Sequence, residues 1–232
     1  MVRLPLKGIL FDLDHTLWDF AKNSREAMRD VFTEEKISES HGIDFDTFHS
    51  TYIRVNDYMW GQYRQQHITK EQLRVGRFEE ALRQVNVNNN MLAEKISTRY
   101  LQLSPYKTHL FPGTHEVLAY LKTKYTLALV TNGFNEVQYV KIKESGIHPY
   151  FHAVVTSEEA GVQKPHKDIF HRACSKIMLP PEDCIMIGDN WEADMEGAKN
   201  AGLQRIHFDP DKTARHTVEN RIYDLRELQT LL

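Results

Sequence analysis

The segment GILFDLDHT, residues 8–16, joins a short apolar run to two carboxylates. The run Gly8–Phe11 is typical of a strand that is covered on both faces, as strands of parallel sheets are. Asp12 and Asp14 follow where such a strand leaves the core. Because ligands of open α/β sheets bind beyond the carboxyl ends of the strands, the segment predicts a functional site there.

Similar apolar runs recur along the chain. They predict further strands at 126–130, 153–156, 184–187 and 204–208. Amphipathic helical patterns lie between them, at 114–124, 135–145, 167–178 and 193–200. This alternation predicts the α/β class, with a doubly wound parallel sheet of the Rossmann type.

Residues 19–103 interrupt the alternation, because they contain helical patterns and no convincing strand. Four helices are predicted here. The first carries Phe20, Met28, Val31 and Phe32, with Asn23 and Glu26 as a capping box, and the second spans 45–65. The third begins at a capping box of Thr69 and Gln72, and the fourth spans 90–103. We therefore predict a core domain of residues 1–18 and 104–232, with an all-helical domain, 19–103, inserted after the first strand.

Composition excludes several kinds of partner. The 232 residues are 41% hydrophobic and 26% charged, with a formal net charge of −3. Charges of both signs are interspersed, so no basic stripe indicates a nucleic acid polymer, and no apolar run has the roughly 20 residues that span a membrane. Cys174 and Cys184 lack zinc or redox spacing. We expect a cytoplasmic monomer or small homo-oligomer that acts on a small molecule.

Polar residues follow four of the predicted strands, where they can meet at one edge of the sheet. They are Asp12, Asp14 and Thr16; Thr131 and Asn132; Lys164; and Asp189, Asn190 and Asp194. Each group alone has an ordinary structural explanation, such as a turn or a helix cap. The ordered set instead predicts one site with a carboxylate pair, a hydroxyl donor, a cation and metal-binding carboxylates.

This set resembles the four motifs of the haloacid dehalogenase (HAD) superfamily of phosphohydrolases, and the resemblance covers nearly the whole chain. The motifs match Asp12/Asp14/Thr16, Thr131/Asn132, Lys164 and Asp189/Asp194, in that order. The helical insertion resembles the C1 cap of that family. The resemblance implies that the first strand lies beside the strand that ends at Asp189.

The resemblance also implies a mechanism. Asp12 would attack a phosphomonoester and form an aspartyl-phosphate. Asp14, starting protonated through crowding by neighbouring anions, would protonate the leaving alcohol and then deprotonate the hydrolytic water. Thr131, Asn132 and Lys164 would bind the phosphoryl group.

A Mg²⁺ cofactor is implied as well. Asp12 and Asp189 would supply carboxylates and Asp14 its backbone carbonyl, with Asn190 and Asp194 in support. His15 departs from the commonest motif, which has Gly or Asp there, and we interpret it as tolerated rather than catalytic.

Other members of the superfamily fit less well. Dehalogenases do not need the acid that Asp14 provides. Phosphonatases need a desolvated lysine in the cap; Lys36 and Lys70 are available, but nothing in the sequence marks either as desolvated. A non-catalytic regulatory module would be expected to lose Asp12 or Lys164. A phosphomutase shares all four motifs and remains an alternative.

Three longer segments narrow the resemblance further: DLDHTLWDF (12–20), TNGFNEVQ (131–138) and SEEAGVQKP (157–165). They are similar to the branch that contains the pyrimidine 5′-nucleotidases, which implies a nucleoside 5′-monophosphate as substrate. A sugar-phosphate phosphatase of the N-acylneuraminate-9-phosphatase type shares several of these segments and remains open.

One face of a predicted cap helix offers substrate contacts. Asn56, Trp60 and Tyr63 fall at i, i+4 and i+7. A pyrimidine could stack on such an aromatic ring. The alternative is that the two aromatic rings pack the helices of the cap.

Overall fold

The structure of the protein, a computed structural model, describes residues 5–216 and 220–232. The chain divides into two compact units, Met1–Phe20 with Thr108–Leu232, and Ala21–Lys107. We call them the sheet unit and the helical unit. The insertion predicted from the sequence starts two residues earlier and ends four residues earlier than the helical unit, and its independence as a domain stays a prediction.

The sheet unit contains a six-stranded parallel sheet within the described residues. Its strands are β1 Gly8–Phe11, β2 Thr126–Thr131, β3 Ala153–Thr156, β4 Cys184–Gly188, β5 Gln204–Phe208 and β6 Arg221–Ile222. Their order is β3-β2-β1-β4-β5-β6, and all neighbours run parallel. The predicted α/β fold is confirmed, including the place of β1 beside β4. The sequence did not reveal β6, because two residues are too short for a periodic pattern.

The apolar run Gly8–Phe11 forms a strand at the centre of the sheet. Ile9, Leu10 and Phe11 are fully buried. Ile9 and Phe11 belong to one apolar cluster and Leu10 to another, since successive side chains of a strand point to opposite faces. β1 is therefore covered on both sides, which leaves its carboxyl end as the place where polar residues meet solvent.

Helices pack on the sheet within the same unit. They are α6 Thr114–Lys122, α7 Asn135–Glu144, α8 Ser157–Ala160, α9 Lys167–Lys176, α10 Gly197–Asn200 and α11 Leu228–Leu231. The helix predicted at 193–200 begins instead as a π-helical turn, Trp191–Glu196, that leads into α10. The backbone N–H of Met195 donates to the carbonyl of Asn190, five residues back, at 3.2 Å.

The helical unit contains α1 Phe20–Glu34 from its second residue onward, and α2 Ile37–His41, α3 Phe45–Arg64, α4 Lys70–Gln84 and α5 Asn90–Leu103. The capping box of Thr69 and Gln72 is confirmed. The box predicted at Asn23 and Glu26 is wrong, because Asn23 lies inside α1 and is fully buried. Helix α2 was missed, since five residues are too few to show a helical period. None of the described helices has the length and apolar character needed to cross a membrane.

Candidate active site

The carboxyl ends of β1 and β4 hold the predicted nucleophile. The backbone N–H of Asp12 donates to the carbonyl of Ile187 at 2.9 Å, so the ladder continues one residue beyond β1. The Asp12 residue is 7% exposed. The strand thus fixes the backbone of Asp12 while its carboxylate reaches the edge of the sheet.

Lys164 bridges two carboxylates at this edge. Its Nζ donates to Asp12 Oδ1 at 2.5 Å and to Asp194 Oδ1 at 2.6 Å. Burial lowers the pKa of Lys164, but the charges of Asp12 and Asp194 raise it by more, so the net pKa lies above its ordinary value. Lys164 is therefore a fixed ammonium group beside Asp12.

Asp194 is held from two sides and is fully buried. Besides Lys164, the backbone N–H of Asn190 donates to its Oδ2 at 3.0 Å. A Cβ atom on Gly188 would lie 2.3 Å from this Oδ2. The glycine at the end of β4 is thus required by the close approach of the Asp194 carboxylate, whose role is to hold Lys164.

Asp12 and Asp189 carry negative charge that Lys164 does not fully balance. Burial raises the pKa of Asp12, Lys164 lowers it and Asp194 raises it, with a net value of about 7. Burial and the charges of Asp12 and Asp194 raise the pKa of Asp189 well above its ordinary value. The negative charge of these two carboxylates is therefore only partly balanced by the Lys164 ammonium.

A carboxylate oxygen of each of Asp12, Asp189 and Asp194 lies within 4.8 Å of the other two. Thr16 joins this group, because its Oγ1 accepts a hydrogen bond from the Asp189 N–H and lies 3.1 Å from Asp189 Oδ1. Clustered hard oxygen ligands with excess negative charge fit a Mg²⁺ ion. Asn190 is placed differently from the prediction, since its Oδ1 accepts from the Ala193 N–H and caps the π-helical turn.

Thr131, the last residue of β2, has a hydroxyl group that is ready to donate. Its Oγ1 accepts hydrogen bonds from the Gly133 N–H at 3.1 Å and from Gln138 Nε2 at 3.0 Å. A hydroxyl oxygen has two acceptor positions, and both are used here. The hydroxyl proton is therefore left for a further acceptor, such as a phosphoryl oxygen.

Asn132 has a role besides the predicted phosphate contact. Its Nδ2 donates to the Lys164 carbonyl at 2.9 Å, and its Oδ1 accepts from the Lys164 N–H at 2.8 Å. Because the amide oxygen and one N–H of Nδ2 bond to the main chain of Lys164, the Asn132 side chain fixes that lysine. The Nδ2 atom has a second N–H group, so phosphate binding by Asn132 stays a prediction.

Asp14 is paired with a cation, whereas the sequence interpretation considered only the neighbouring anions. Lys141 Nζ donates to its Oδ1 at 2.5 Å and Gln138 Nε2 to its Oδ2 at 2.7 Å. Burial raises the pKa of Asp14, but the Lys141 charge and these hydrogen bonds lower it by more, so the net pKa lies below its ordinary value. The expectation that Asp14 rests protonated is therefore wrong for this arrangement.

Sequence reasoning missed Gln138 and Lys141 as residues of the site. They lie at i and i+3 of α7, and both are buried, although that face of a helix packed on a sheet is usually apolar. Two buried polar residues on the inner face of the helix that follows Thr131 are the signal that could have revealed them.

His15 has a left-handed backbone conformation, with φ of 65°. Residues with a Cβ atom rarely adopt this conformation, whereas Gly does so freely and Asp and Asn are enriched there. The side chain is exposed and its ring lies 4.7 Å from that of Phe20. This geometry explains the preference for Gly or Asp at this motif position.

The three residues predicted for the substrate lie on α3 of the helical unit. Asn56 is 3% exposed, and its Oδ1 accepts from Arg77 Nη1 at 2.9 Å and from the Tyr52 hydroxyl at 3.4 Å. Asn56 is therefore engaged by other side chains of this unit, and its role as a substrate contact stays a prediction. Trp60 and Tyr63 are partly exposed and pack edge to face, with ring centroids 5.7 Å apart.

One known protein family matches most of the chain. The model of the haloacid dehalogenase-like hydrolase family matches residues 6–202. The chain belongs to this family. The predicted resemblance is thus confirmed, and the chain is an enzyme of the hydrolase class, with phosphatases and 5′-nucleotidases among its relatives.

Two curated relatives are pyrimidine 5′-nucleotidases. PynA of Streptococcus pneumoniae is 29% identical, with 97% of this chain and 93% of PynA covered. YjjG of Escherichia coli is 33% identical, with 84% of this chain and 82% of YjjG covered. The crystal structure of HAD-hydrolase YfnB from Bacillus subtilis, bound to magnesium, superimposes with a TM-score of 0.88 at 26% identity and covers 98% of both chains.

Proposed function

We propose that this hydrolase is a Mg²⁺-dependent phosphomonoesterase that forms an aspartyl-phosphate on Asp12, and that its substrates are nucleoside 5′-monophosphates. One observation carries the proposal: the Asp12 carboxylate lies 2.5 Å from the Lys164 ammonium, at the same sheet edge as Asp189 and Thr131. A buried carboxylate held beside a fixed cation is suited to attack a dianionic phosphoryl group, whose charge would otherwise repel it.

The reaction has two halves that share the same groups. An Asp12 oxygen attacks phosphorus, the bond from phosphorus to the ester oxygen breaks, and the departing oxygen takes from Asp14 the proton that Asp14 gained from water in the preceding turnover. Asp14 then takes a proton from water, whose oxygen attacks phosphorus and releases inorganic phosphate and free Asp12. The charged form in which Lys141 holds Asp14 is the form required for this second half.

Residues around Asp12 bind the transferring group. The Thr131 hydroxyl and the Lys164 ammonium donate to phosphoryl oxygens, and Asn132 holds the main chain of Lys164 in place. Mg²⁺ would be held by the carboxylates of Asp12 and Asp189 and the carbonyl of Asp14, with Asp194 in support. When bound, the ion neutralises phosphoryl charge as a Lewis acid.

The proposal of a nucleotide substrate is supported by the activity named for PynA and YjjG. Trp60 and Tyr63 provide aromatic surface on α3 of the helical unit. Stacking of a base on an aromatic side chain contributes about 1–3 kcal/mol. We assign these two residues, and not Asn56, as the base-stacking candidates.

Phosphate release by the purified protein tests this function. We expect turnover that requires Mg²⁺, stops with EDTA, and falls at least about 10³-fold in Asp12→Asn, because that variant lacks the nucleophile. Asp168→Asn is the matched control, since it removes an exposed carboxylate elsewhere in the sheet unit. Near-normal turnover by Asp12→Asn, or indifference to EDTA, would contradict the proposal.

A substrate panel tests the nucleotide assignment separately. The panel contains dUMP, dTMP, UMP, purine nucleotides, hexose phosphates and N-acetylneuraminate 9-phosphate. We expect the highest kcat/KM for pyrimidine nucleoside 5′-monophosphates. A clear preference for a sugar phosphate would agree with the proposed phosphatase activity but would contradict the assignment of a nucleotide substrate.

A further inference from the structure

Two side chains of helix α7 donate hydrogen bonds to the Asp14 carboxylate, one to each oxygen. Lys141 Nζ lies 2.5 Å from Oδ1 and Gln138 Nε2 lies 2.7 Å from Oδ2. Asp14 itself lies in the loop beyond β1, where its backbone forms an isolated bridge with Trp18 that leaves the side chain to other contacts. Its orientation is therefore set by two side chains from another element.

Lys141 is committed to this contact by its surroundings. Its side chain is 4% exposed, and its Nζ also lies 4.0 Å from the centroid of the fully buried Trp18 ring. A buried ammonium is costly unless it is paired, so a switch of Lys141 to another partner is disfavoured. The aromatic ring below and the carboxylate beside it define one position for the ammonium.

Gln138 joins Asp14 to Thr131. The two N–H groups of its single Nε2 donate to Asp14 Oδ2 at 2.7 Å and to Thr131 Oγ1 at 3.0 Å, and the residue is 1% exposed. The amide is planar, so these two acceptors are held at a fixed separation. The Asp14 carboxylate, proposed to transfer the proton, and the Thr131 hydroxyl, proposed to bind phosphate, are thereby held at a fixed distance from each other.

We propose that Gln138 and Lys141 are positioning residues that aim the Asp14 carboxylate at the ester oxygen of the substrate. Neither residue touches the reacting atoms in this role, since both act through Asp14. The inference rests on the proposed phosphatase function and deepens it, because it assigns the parts of the site that govern leaving-group departure.

The leaving group provides a test that a purely structural role would not pass. A nucleoside leaves as a basic alkoxide and needs a proton in the transition state, whereas p-nitrophenolate is stable and leaves without one. The constant kcat/KM reports events up to the first irreversible step, which is cleavage of the ester bond. Misplacement of Asp14 should therefore reduce kcat/KM for nucleotides and spare that for p-nitrophenyl phosphate.

We expect Lys141→Met to lower kcat/KM by about 10²-fold for a nucleoside 5′-monophosphate and by less than about threefold for p-nitrophenyl phosphate. Gln138→Met should lower both values, because Gln138 also holds Thr131, but it should lower the value for the nucleotide more. It provides an independent variant should Lys141→Met not fold. Both substrates are measured on one preparation, so partial unfolding would lower both values equally. Lys143→Met, which removes an exposed ammonium from the same helix, should leave both values unchanged.

A double-mutant cycle tests whether Lys141 acts through Asp14. In the Asp14→Asn background, Lys141→Met should cause no further selective loss, because the group that it positions is gone. Equal losses on both substrates, no loss on either, or a full additional loss in that background would each overturn the inference. If the wild-type protein releases no phosphate from any substrate, the proposed function itself fails; if it does and the variants show no selectivity, only this inference fails.

Discussion

Asp12 lies in an environment that no isolated aspartate experiences. One ammonium, that of Lys164, contacts it directly, whereas Asp14, Asp189 and Asp194 all surround it at the same edge of the sheet. Burial is the largest influence on its pKa and outweighs the cation, which gives a value of about 7 instead of 3.8. The residue proposed as the nucleophile, a role that requires its ionised form, thus has a pKa close to neutral pH.

This environment predicts how the stability of the protein depends on pH and Mg²⁺. The pKa of Asp12 is higher in the folded than in the unfolded chain, so the folded state binds more protons between pH 3.8 and about 7. Its contribution to the free energy of unfolding is therefore largest at low pH and is lost as the pH rises through about 7. Asp189, with its raised pKa, acts in the same direction.

Because metal ligands must be deprotonated, Mg²⁺ should offset this loss most where the carboxylates are ionised. We expect the increase in Tm caused by Mg²⁺ to be several degrees larger at pH 8 than at pH 5.5, as measured by differential scanning calorimetry. The effect should be reduced in Asp12→Asn and retained in Asp168→Asn. An increase that does not vary with pH would show that Mg²⁺ binds elsewhere.

At the scale of elements, the turn between β2 and α7 decides how the site is assembled. Gly133 lies in this turn, and a Cβ atom there would lie 1.6 Å from Gln138 Nε2. The glycine is required here because the Gln138 side chain crosses the turn to reach Thr131 and Asp14. The end of β2, this turn and α7 thus together place the side chains that contact Asp14.

Gly133→Ala should therefore displace Gln138. The substitution inserts one carbon into filled space, which we expect to lower the free energy of unfolding by about 1–3 kcal/mol. In the Gln138→Ala background most of this cost should disappear, because the clashing atoms have been removed. Urea denaturation of the four variants measures the coupling.

Two outcomes of that cycle separate the explanations. Strong coupling between the substitutions supports a direct clash between the two side chains. An equal cost of Gly133→Ala in both backgrounds would instead mean that the turn needs glycine for reasons of backbone conformation.

At the scale of the whole molecule, the two units have separate apolar cores. The cluster of the helical unit runs from Ala27 to Tyr100 and includes Phe48, Tyr52 and Phe78. Two other clusters lie on the faces of the sheet and draw their buried members only from the sheet unit. Each unit therefore buries its apolar surface by itself, which is what an independent domain requires.

This separation predicts that residues 21–107, expressed alone, form a folded helical domain. We expect a far-UV circular dichroism spectrum typical of α-helix and a cooperative thermal transition. Phe78→Ala in the fragment is the destabilised reference, because loss of a fully buried ring costs about 3–5 kcal/mol. A fragment that melts without cooperativity would contradict the predicted domain organisation.

The sequence by itself determined five of the six strands in the described part of the sheet and the residues at their ends. Apolar runs are local signals, and the bounds of β1, β3 and β5 agree with them. Because parallel strands end at one edge, the order of Asp12, Thr131, Lys164 and Asp189 along the chain was enough to predict one site.

Only the tertiary structure decided what each side chain in that site contacts. Lys164 meets Asp12 across 152 positions of sequence and Lys141 meets Asp14 across 127, and no local pattern encodes such pairs. For the same reason, the pairing of Asp14 with Lys141, the hydrogen bonds of the Asn132 amide and the buried contacts of Asn56 were not evident from the sequence. Local periodicity fixes which elements form, whereas the pKa and the hydrogen bonds of a side chain depend on charges and donors that distant segments bring to it.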